Sequence, residues 1–307
     1  MLKPIITILG PTATGKTRIA ALLAKESDGE IVSADSRQVY KGMDIGTGKD
    51  LSEYQIDGYH IPFHLIDIVE PGIEYNVFRY QQLAYQAIQH IQQKGKSVIL
   101  CGGSGMYIDA LLKGYKLFPV PENLLLRSTF ETYSDENLSE QLAQYKSLHN
   151  HTDTETRVRL IRALEIEYYY SEHPEIQEIA QPIPSIIFGL NGDRDLIRSK
   201  ITKRLHERLE TGMIDEVKSL IDRGVDINQL IRYGLEYKYV TQYILGELDF
   251  NTMFNRLNIA IHQFSKRQMT WFRKMEREGF LIHWIDISFT EEQKMDRIHQ
   301  IIVEKKV

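Results

Sequence analysis

The sequence predicts an α/β protein: a parallel sheet flanked by helices, carrying an all-helical insertion. Three observations predict it. The first hundred residues alternate short β-branched runs with helical stretches, the pattern of a parallel sheet covered by helices. From Pro119 to Ser185 the texture turns helix-prone with no evident strand, bracketed by Pro119 and Pro121 on entry and Pro182 and Pro184 on exit. Strand-like sequence then resumes, followed by mostly helical sequence.

The elements follow in order. Ile5-Ile6-Thr7-Ile8-Leu9 is a continuous apolar run, as expected of a strand buried on both faces, and Glu30–Ser33 and Ser97–Leu100 read the same way. Lys16–Lys25 and Phe78–Gln93 read as helices, the second with Leu83, Ala84, Ala87, Ile88 and Ile91 on one face. Residues 1–118 and 186–307 are therefore assigned to one catalytic core and 119–185 to the helical insertion. Ser185–Leu190 restarts the sheet and Phe280–Ile285 adds a short strand. Asp195–Gly212, Met213–Gly224, Tyr237–Leu245, Asn251–Arg277 and Thr290–Glu304 read as helices.

Composition bounds the rest. With 307 residues, 42% hydrophobic, 20 Gly, 9 Pro and a single Cys, collagen-like, disordered and disulfide-scaffold classes are excluded. The apolar run Ile5–Leu9 ends at Gly10-Pro11, too short for a signal-peptide core or a spanning helix, so a cytoplasmic protein is expected. Nothing demands more than a monomer. Cys101 ends an apolar strand and reads as a buried small hydrophobe. The net charge of −5 argues at face value against nucleic acid.

Gly10-Pro11-Thr12-Ala13-Thr14-Gly15-Lys16-Thr17 fits G-x-x-x-x-G-K-[ST] between the first strand and the first helix. Backbone N–H groups of such a turn surround a di- or triphosphate, Lys16 adds a point charge, and the Thr17 hydroxyl reaches a bound Mg²⁺. The second strand ends in Ser33-Ala34-Asp35-Ser36-Arg37-Gln38, at the sheet edge where ligands bind. There Asp35 can bind a metal, take a proton, or simply cap the next segment. Gly102-Gly103-Ser104-Gly105 forms another loop at that edge.

Two stretches are rich in cations. Arg194, Arg198, Lys200, Lys203, Arg204 and Arg208 crowd one helix, and Met253 through Met275 contains no acid. Placed at 100° per residue, the second helix runs an apolar stripe through Met253, Leu257, Ile261, Phe264, Trp271 and Met275. Arg256, Arg267 and Lys274 share a line beside it, suited either to solvent or to a polyanion. The overall charge thus averages acidic segments with local basic ones and does not exclude nucleic acid.

The blocks GPTATGKT, SADSRQVYKGMDIGTGK, GGSGMY with ALLKG, RLIRALE (Arg159–Glu165) and KRQMTW (Lys266–Trp271), in this order over nearly the whole chain, resemble the tRNA dimethylallyltransferases, also called tRNA isopentenyltransferases. The resemblance implies a P-loop kinase-like core and an insertion closing over the tRNA anticodon stem-loop. It also implies transfer of a dimethylallyl group from dimethylallyl diphosphate to N6 of adenosine 37, in tRNAs reading codons that begin with U, with Mg²⁺. By the same resemblance Asp35 is the general base, Thr12 and Arg204 assist catalysis, and Gly10 to Thr17 hold the diphosphate. The implied tRNA contacts are Asp35, Ser36, Arg37, Gln38, Ser104, Arg127, Arg159, Arg162, Lys266 and Arg267. Tyr40, Tyr107 and Trp271 are candidates for stacking on bases, or plain core aromatics.

The chain departs from the family in places. Ser104 stands where Thr is usual, Glu236 in Gly234-Leu235-Glu236-Tyr237-Lys238 stands where Gly is normal, and no clear Asp-Pro segment precedes the arginine block. Three other readings compete: an adenylate isopentenyltransferase acting on free AMP, ADP or ATP, a P-loop small-molecule kinase, and a non-catalytic tRNA-binding protein.

Overall fold

The computed structural model describes residues 2–115, 117–145, 153–173 and 181–305. Two compact units divide the chain: Met1–Gly114 with Pro182–Val307, and Tyr115–Gln181.

The first unit begins β1 (Ile5–Leu9), α1 (Lys16–Glu26) and β2 (Gly29–Ser33), then a 3-10 turn (Leu51–Tyr54), the hairpin β3 (Gln55–Ile56) and β4 (Tyr59–His60), and β5 (Phe63–His64). It continues through α2 (Val77–Gln93), β6 (Ser97–Gly102) and α3 (Gly105–Lys113). The second unit supplies α4 (Leu124–Phe130), α5 (Asp135–Tyr145) and α6 (Arg157–Glu172). The chain then returns through β7 (Ser185–Asn191), α7 (Arg194–Glu210), α8 (Met213–Asp222), α9 (Ile227–Arg232), α10 (Leu235–Ile244), α11 (Phe250–Arg277), β8 (Ile282–Asp286) and α12 (Glu291–Glu304).

Six strands form one parallel sheet in the order β5-β2-β6-β1-β7-β8. β1 lies between β6 and β7, with Ile6 opposite both Ile99 and Ile186. Helices cover these strands, so Ile8, Leu9, Ile31, Val32, Ile99, Leu100 and Phe188 are all fully buried. The connection leaving β1 runs toward β2, whereas the chain leaving β6 returns on the opposite side at β7. The crevice at the carboxyl ends of β1 and β6 is therefore the topological switch point, where ligands of open α/β sheets bind. The loops after β1, β2 and β6 meet there, and they meet closely: a Cβ on Gly102 would collide with the Ala34 carbonyl, which only glycine avoids.

Capping distinguishes the helices. Asn76, Asp193, Asp249 and Thr290 each accept a backbone N–H at the start of α2, α7, α11 and α12. α1 has no such side chain; Gly15 precedes it in the left-handed conformation at φ 78°, leaving the first N–H groups of α1 to a ligand. In the second unit, Phe130, Leu138, Leu142, Leu160 and Leu164 form a small separate core, and its described residues contain no strand.

The structure adds elements that periodicity misses: α3, α9, the β3–β4 hairpin and the two-residue edge strand β5. It also shifts the buried face of α11, which comprises Met253, Leu257, Ala260, Ile261, Ser265, Gln268, Phe272 and Met275. Phe264 and Trp271 are only half-buried, because the phase is set by Ser265 and Gln268, polar residues that hydrophobicity alone passes over.

Candidate active site

The phosphate loop is shaped by its own contacts. Ala13 (φ 63°) and Gly15 take the left-handed conformation, turning successive N–H groups toward one concavity. The Thr14 hydroxyl and the Lys16 ammonium both donate to the Pro11 carbonyl, at 2.9 and 2.7 Å. Across the switch point, the buried side chain of Gln268 accepts from the Thr12 N–H at 2.9 Å and donates to the Gly103 carbonyl at 2.9 Å. This residue of α11 thereby ties the loop after β1 to the loop after β6. The sequence shows it only as one letter of KRQMTW, and its polar character in the buried phase of the helix is the signal that marks it.

Two neighbouring cavities open on this loop. The outer one, of about 520 Å³, lies between Ala13 to Arg18 and the Lys200, Lys203, Arg204 and Arg208 side of α7, with Asp50 and Glu53 also lining it. The inner one, of about 50 Å³, shares Lys16, Thr17, Arg204 and Arg208 with the first and continues to Thr12, Asp35, Arg37, Gln38, Phe264 and Gln268. A cation-lined cleft thus narrows to a small chamber whose wall includes a carboxylate.

The two oxygens of Asp35 differ in their surroundings. Its Oδ1 accepts the Arg37 N–H at 2.9 Å, closing the turn after β2. Its Oδ2 makes no hydrogen bond among the described residues. Ser36 donates its N–H to the Ser104 hydroxyl at 3.0 Å, joining the loop after β2 to the loop after β6. Gln38 accepts from the Ser33 hydroxyl and donates to the Gly48 carbonyl at 3.1 Å, fixing the Gly46-Thr47-Gly48 segment. The same segment is anchored by Glu216 of α8, whose carboxylate accepts the N–H groups of Asp44, Ile45 and Gly46 and the Tyr237 hydroxyl.

A chain of alternating charges runs along one side. Arg37 pairs with Glu236 at 2.8 Å, Glu236 lies 3.9 Å from Arg208, Arg208 lies 3.8 Å from Asp50, and Asp50 hydrogen-bonds Arg204. The departure at Glu236 therefore has a partner on each side. Arg37 also sits 5.1 Å over the Phe264 ring.

Several of the remaining expected residues have partners of their own. Lys266 and Arg267 are exposed on α11, with Arg267 5.9 Å from Phe264. Lys274 does not join an open basic face: it lies 3.7 Å from buried Asp109 and 3.6 Å from Glu278. In the second unit, Arg127 and Arg162 both bind the buried Glu165 carboxylate, while Arg159 pairs with Glu155. Of the aromatic candidates, Tyr40 and Tyr107 are core residues, Tyr107 stacking on Tyr80 at 4.2 Å. Phe264 and Tyr54 are the aromatic residues that line the inner chamber among the described residues.

Electrostatics favour an anion. Burial pushes the Lys16 ammonium down to about 8, Arg204 adding to the effect and the carboxylates of Asp35 and Asp50 opposing it. Burial pushes the Cys101 thiol up to about 12, so it stays neutral and is no nucleophile. Only protonated Lys16 contributes charge, and that form is lost as pH rises through about 8. The kcat/KM for a diphosphate substrate is therefore expected to fall above that pH, approaching about tenfold per pH unit, with Lys16→Arg moving the fall higher. A pH–rate profile that stays flat through and beyond that pH would refute this.

No three His, Cys, Asp or Glu side chains cluster as metal ligands among the described residues. The Thr17 hydroxyl, facing both cavities, is the hard oxygen donor suited to Mg²⁺, an ion that keeps waters and binds mainly through substrate phosphates. Among the described residues, no helix is long and apolar enough to cross a membrane.

Comparison with known proteins sets this site in a lineage. A family profile described as IPP transferase matches residues 38–275. A protein of Parabacteroides distasonis described as tRNA dimethylallyltransferase 1 is 54% identical over 299 residues, covering 97% of each chain. The crystal structure of the full-length tRNA isopentenylpyrophosphate transferase from Bacillus halodurans is 32% identical with a TM-score of 0.72, covering 98% of this chain and 96% of that one. A eukaryotic dimethylallyltransferase acting on tRNA shares the fold at 22% identity and a TM-score of 0.74, over 93% of this chain and 74% of that one.

Proposed function

The chain belongs to the IPP transferase family, and from that premise we propose that it transfers a dimethylallyl group from dimethylallyl diphosphate to N6 of adenosine 37 in tRNAs reading codons that begin with U, releasing diphosphate. The observation that carries this reading is the pair of neighbouring cavities that share Lys16, Thr17, Arg204 and Arg208. The cleft sharing Lys16, Thr17, Arg204 and Arg208 suits a diphosphate, and the smaller chamber beside it sets the Asp35 carboxylate next to those cations, where an amine would meet the allylic carbon.

In this mechanism the loop N–H groups, Lys16 and Arg204 hold the diphosphate and favour the charge that grows as the allylic carbon–oxygen bond breaks. The N6 amine attacks that carbon, a carbon–nitrogen bond forms, and the leaving diphosphate keeps the electron pair. The amine proton passes to Asp35 Oδ2, while Oδ1 stays fixed by the Arg37 N–H. Adenine in a stacked anticodon loop cannot reach so narrow a chamber, so the base is extruded, and Phe264 offers it a ring face. The Thr17 hydroxyl would help to hold a Mg²⁺, which would supply further neutralisation of the leaving group. Arg127, Arg159 and Arg162 of the second unit and exposed Lys266 and Arg267 are assigned to the anticodon stem-loop.

The test is direct. Incubation with Mg²⁺, dimethylallyl diphosphate and unmodified tRNA, followed by nuclease digestion and mass spectrometry, is expected to yield prenylated adenosine, while free AMP in parallel yields none. Product on AMP alone would transfer the assignment to a free-nucleotide enzyme. No product on either acceptor would remove it.

A further inference from the structure

We propose that Arg208 is a second guanidinium contact for the donor diphosphate, standing beside Arg204 in the cleft. The inference rests on the diphosphate reading above and adds a residue to it.

Four observations lead there. Arg208 follows Arg204 by four residues on α7, so both side chains leave the same face, and both line the outer cleft and the inner chamber. The Arg208 side chain is only 13% exposed, yet its Nε has no hydrogen-bond partner. Its acidic neighbours stand off at 3.8 Å (Asp50) and 3.9 Å (Glu236), beyond hydrogen-bonding distance, and each is already engaged more closely by another arginine. The Gly48 segment is moulded to it, since a Cβ on Gly48 would collide with the Arg208 guanidinium.

Such an arrangement is short of negative charge. A guanidinium withdrawn from water needs hydrogen-bonded compensation, and two of them side by side need more than one shared carboxylate. Burial, with Arg204 adjacent, pushes Arg208 down to about 10, which still leaves it charged at neutral pH. A diphosphate supplies what is missing: several oxygens that planar guanidinium groups bind in pairs. In the free protein Asp50 takes that place on Arg204, and the incoming diphosphate displaces it. Asp50 is thus an internal competitor that moderates affinity for the diphosphate product.

Titration with inorganic pyrophosphate tests this without an acceptor. Arg208→Met is expected to weaken pyrophosphate binding by about ten- to a hundredfold and to raise the KM for dimethylallyl diphosphate while leaving the KM for tRNA unchanged, with Arg208→Lys recovering part of the loss. Asp50→Asn is expected to tighten pyrophosphate binding, an effect that a purely structural role for the network would not produce. Wild-type affinity in Arg208→Met, or weakened binding in Asp50→Asn, would overturn the proposal. If the wild type binds pyrophosphate but prenylates neither tRNA nor AMP, the functional reading fails while the titrations still decide the role of Arg208.

Discussion

Replacing Asp35 by alanine is expected to lower kcat by about a hundred- to ten-thousandfold, the range found for loss of a positioned general base, while tRNA affinity changes little. The expectation follows from how the carboxylate is divided. Oδ1 is committed to the Arg37 N–H, which fixes the turn, and Oδ2 is left for the proton of the attacking amine. Asp35→Asn separates the two functions, because the amide oxygen can still accept the Arg37 N–H but the group has lost its basicity. The asparagine variant should therefore match alanine in kcat and match the wild type in thermal stability. If kcat and tRNA affinity fall together in both variants, Asp35 organises the binding surface and another group takes the proton.

The second large effect is expected at Arg204. Its alanine variant should lose about a hundred- to a thousandfold in kcat, as when one preorganised group facing developing negative charge is removed. Arg204 lines both cavities and hydrogen-bonds Asp50, the group that it must release to take a phosphoryl oxygen. Arg204→Lys should recover little, since an ammonium cannot present two parallel N–H donors. Steady-state kinetics with varied donor distinguish the roles: a rise in KM at unchanged kcat would mean that Arg204 binds the ground state and the transition state equally, against the leaving-group role.

The legibility of this protein in its sequence follows physical lines. β1, β2, β6 and β7 are largely buried and each carries a short β-branched core (Ile5–Ile8, Ile31-Val32, Val98-Ile99 and Ile186-Ile187), and the phosphate loop is a local motif between a strand and a helix. β5 pairs through only two residues at the sheet edge, and α3 begins inside a glycine-rich turn, so neither leaves a periodic trace. Gln268 escaped because its buried position is polar, and its two partners are distant loops that the chain approaches only when folded. Arg208 was visible as one of six cations on a helix. Nothing local shows that Asp50 and Glu236, far away on either side of it in sequence, stand beside it. The basic face of α11 was half legible: Lys266 and Arg267 are exposed, whereas Lys274 is taken by Asp109, a residue of α3.

The position of the second unit between β6 and β7 has a consequence for biosynthesis. β1 is flanked by β6 on one side, but its other flank is completed only by β7, and roughly 80 residues separate Gly102 from Ser185. At translation rates of about 5–20 residues per second, the apolar edge of Ile5 to Leu9 waits about 4–16 s for its neighbour after β6 has emerged. A bare strand edge is a template for intermolecular pairing. The separate core of Phe130, Leu138, Leu142, Leu160 and Leu164 gives the intervening segment apolar contacts of its own to form during that delay. Its apolar side chains are thereby withdrawn from competition for the open edge, and the slot beside β1 is left for the strand that belongs there.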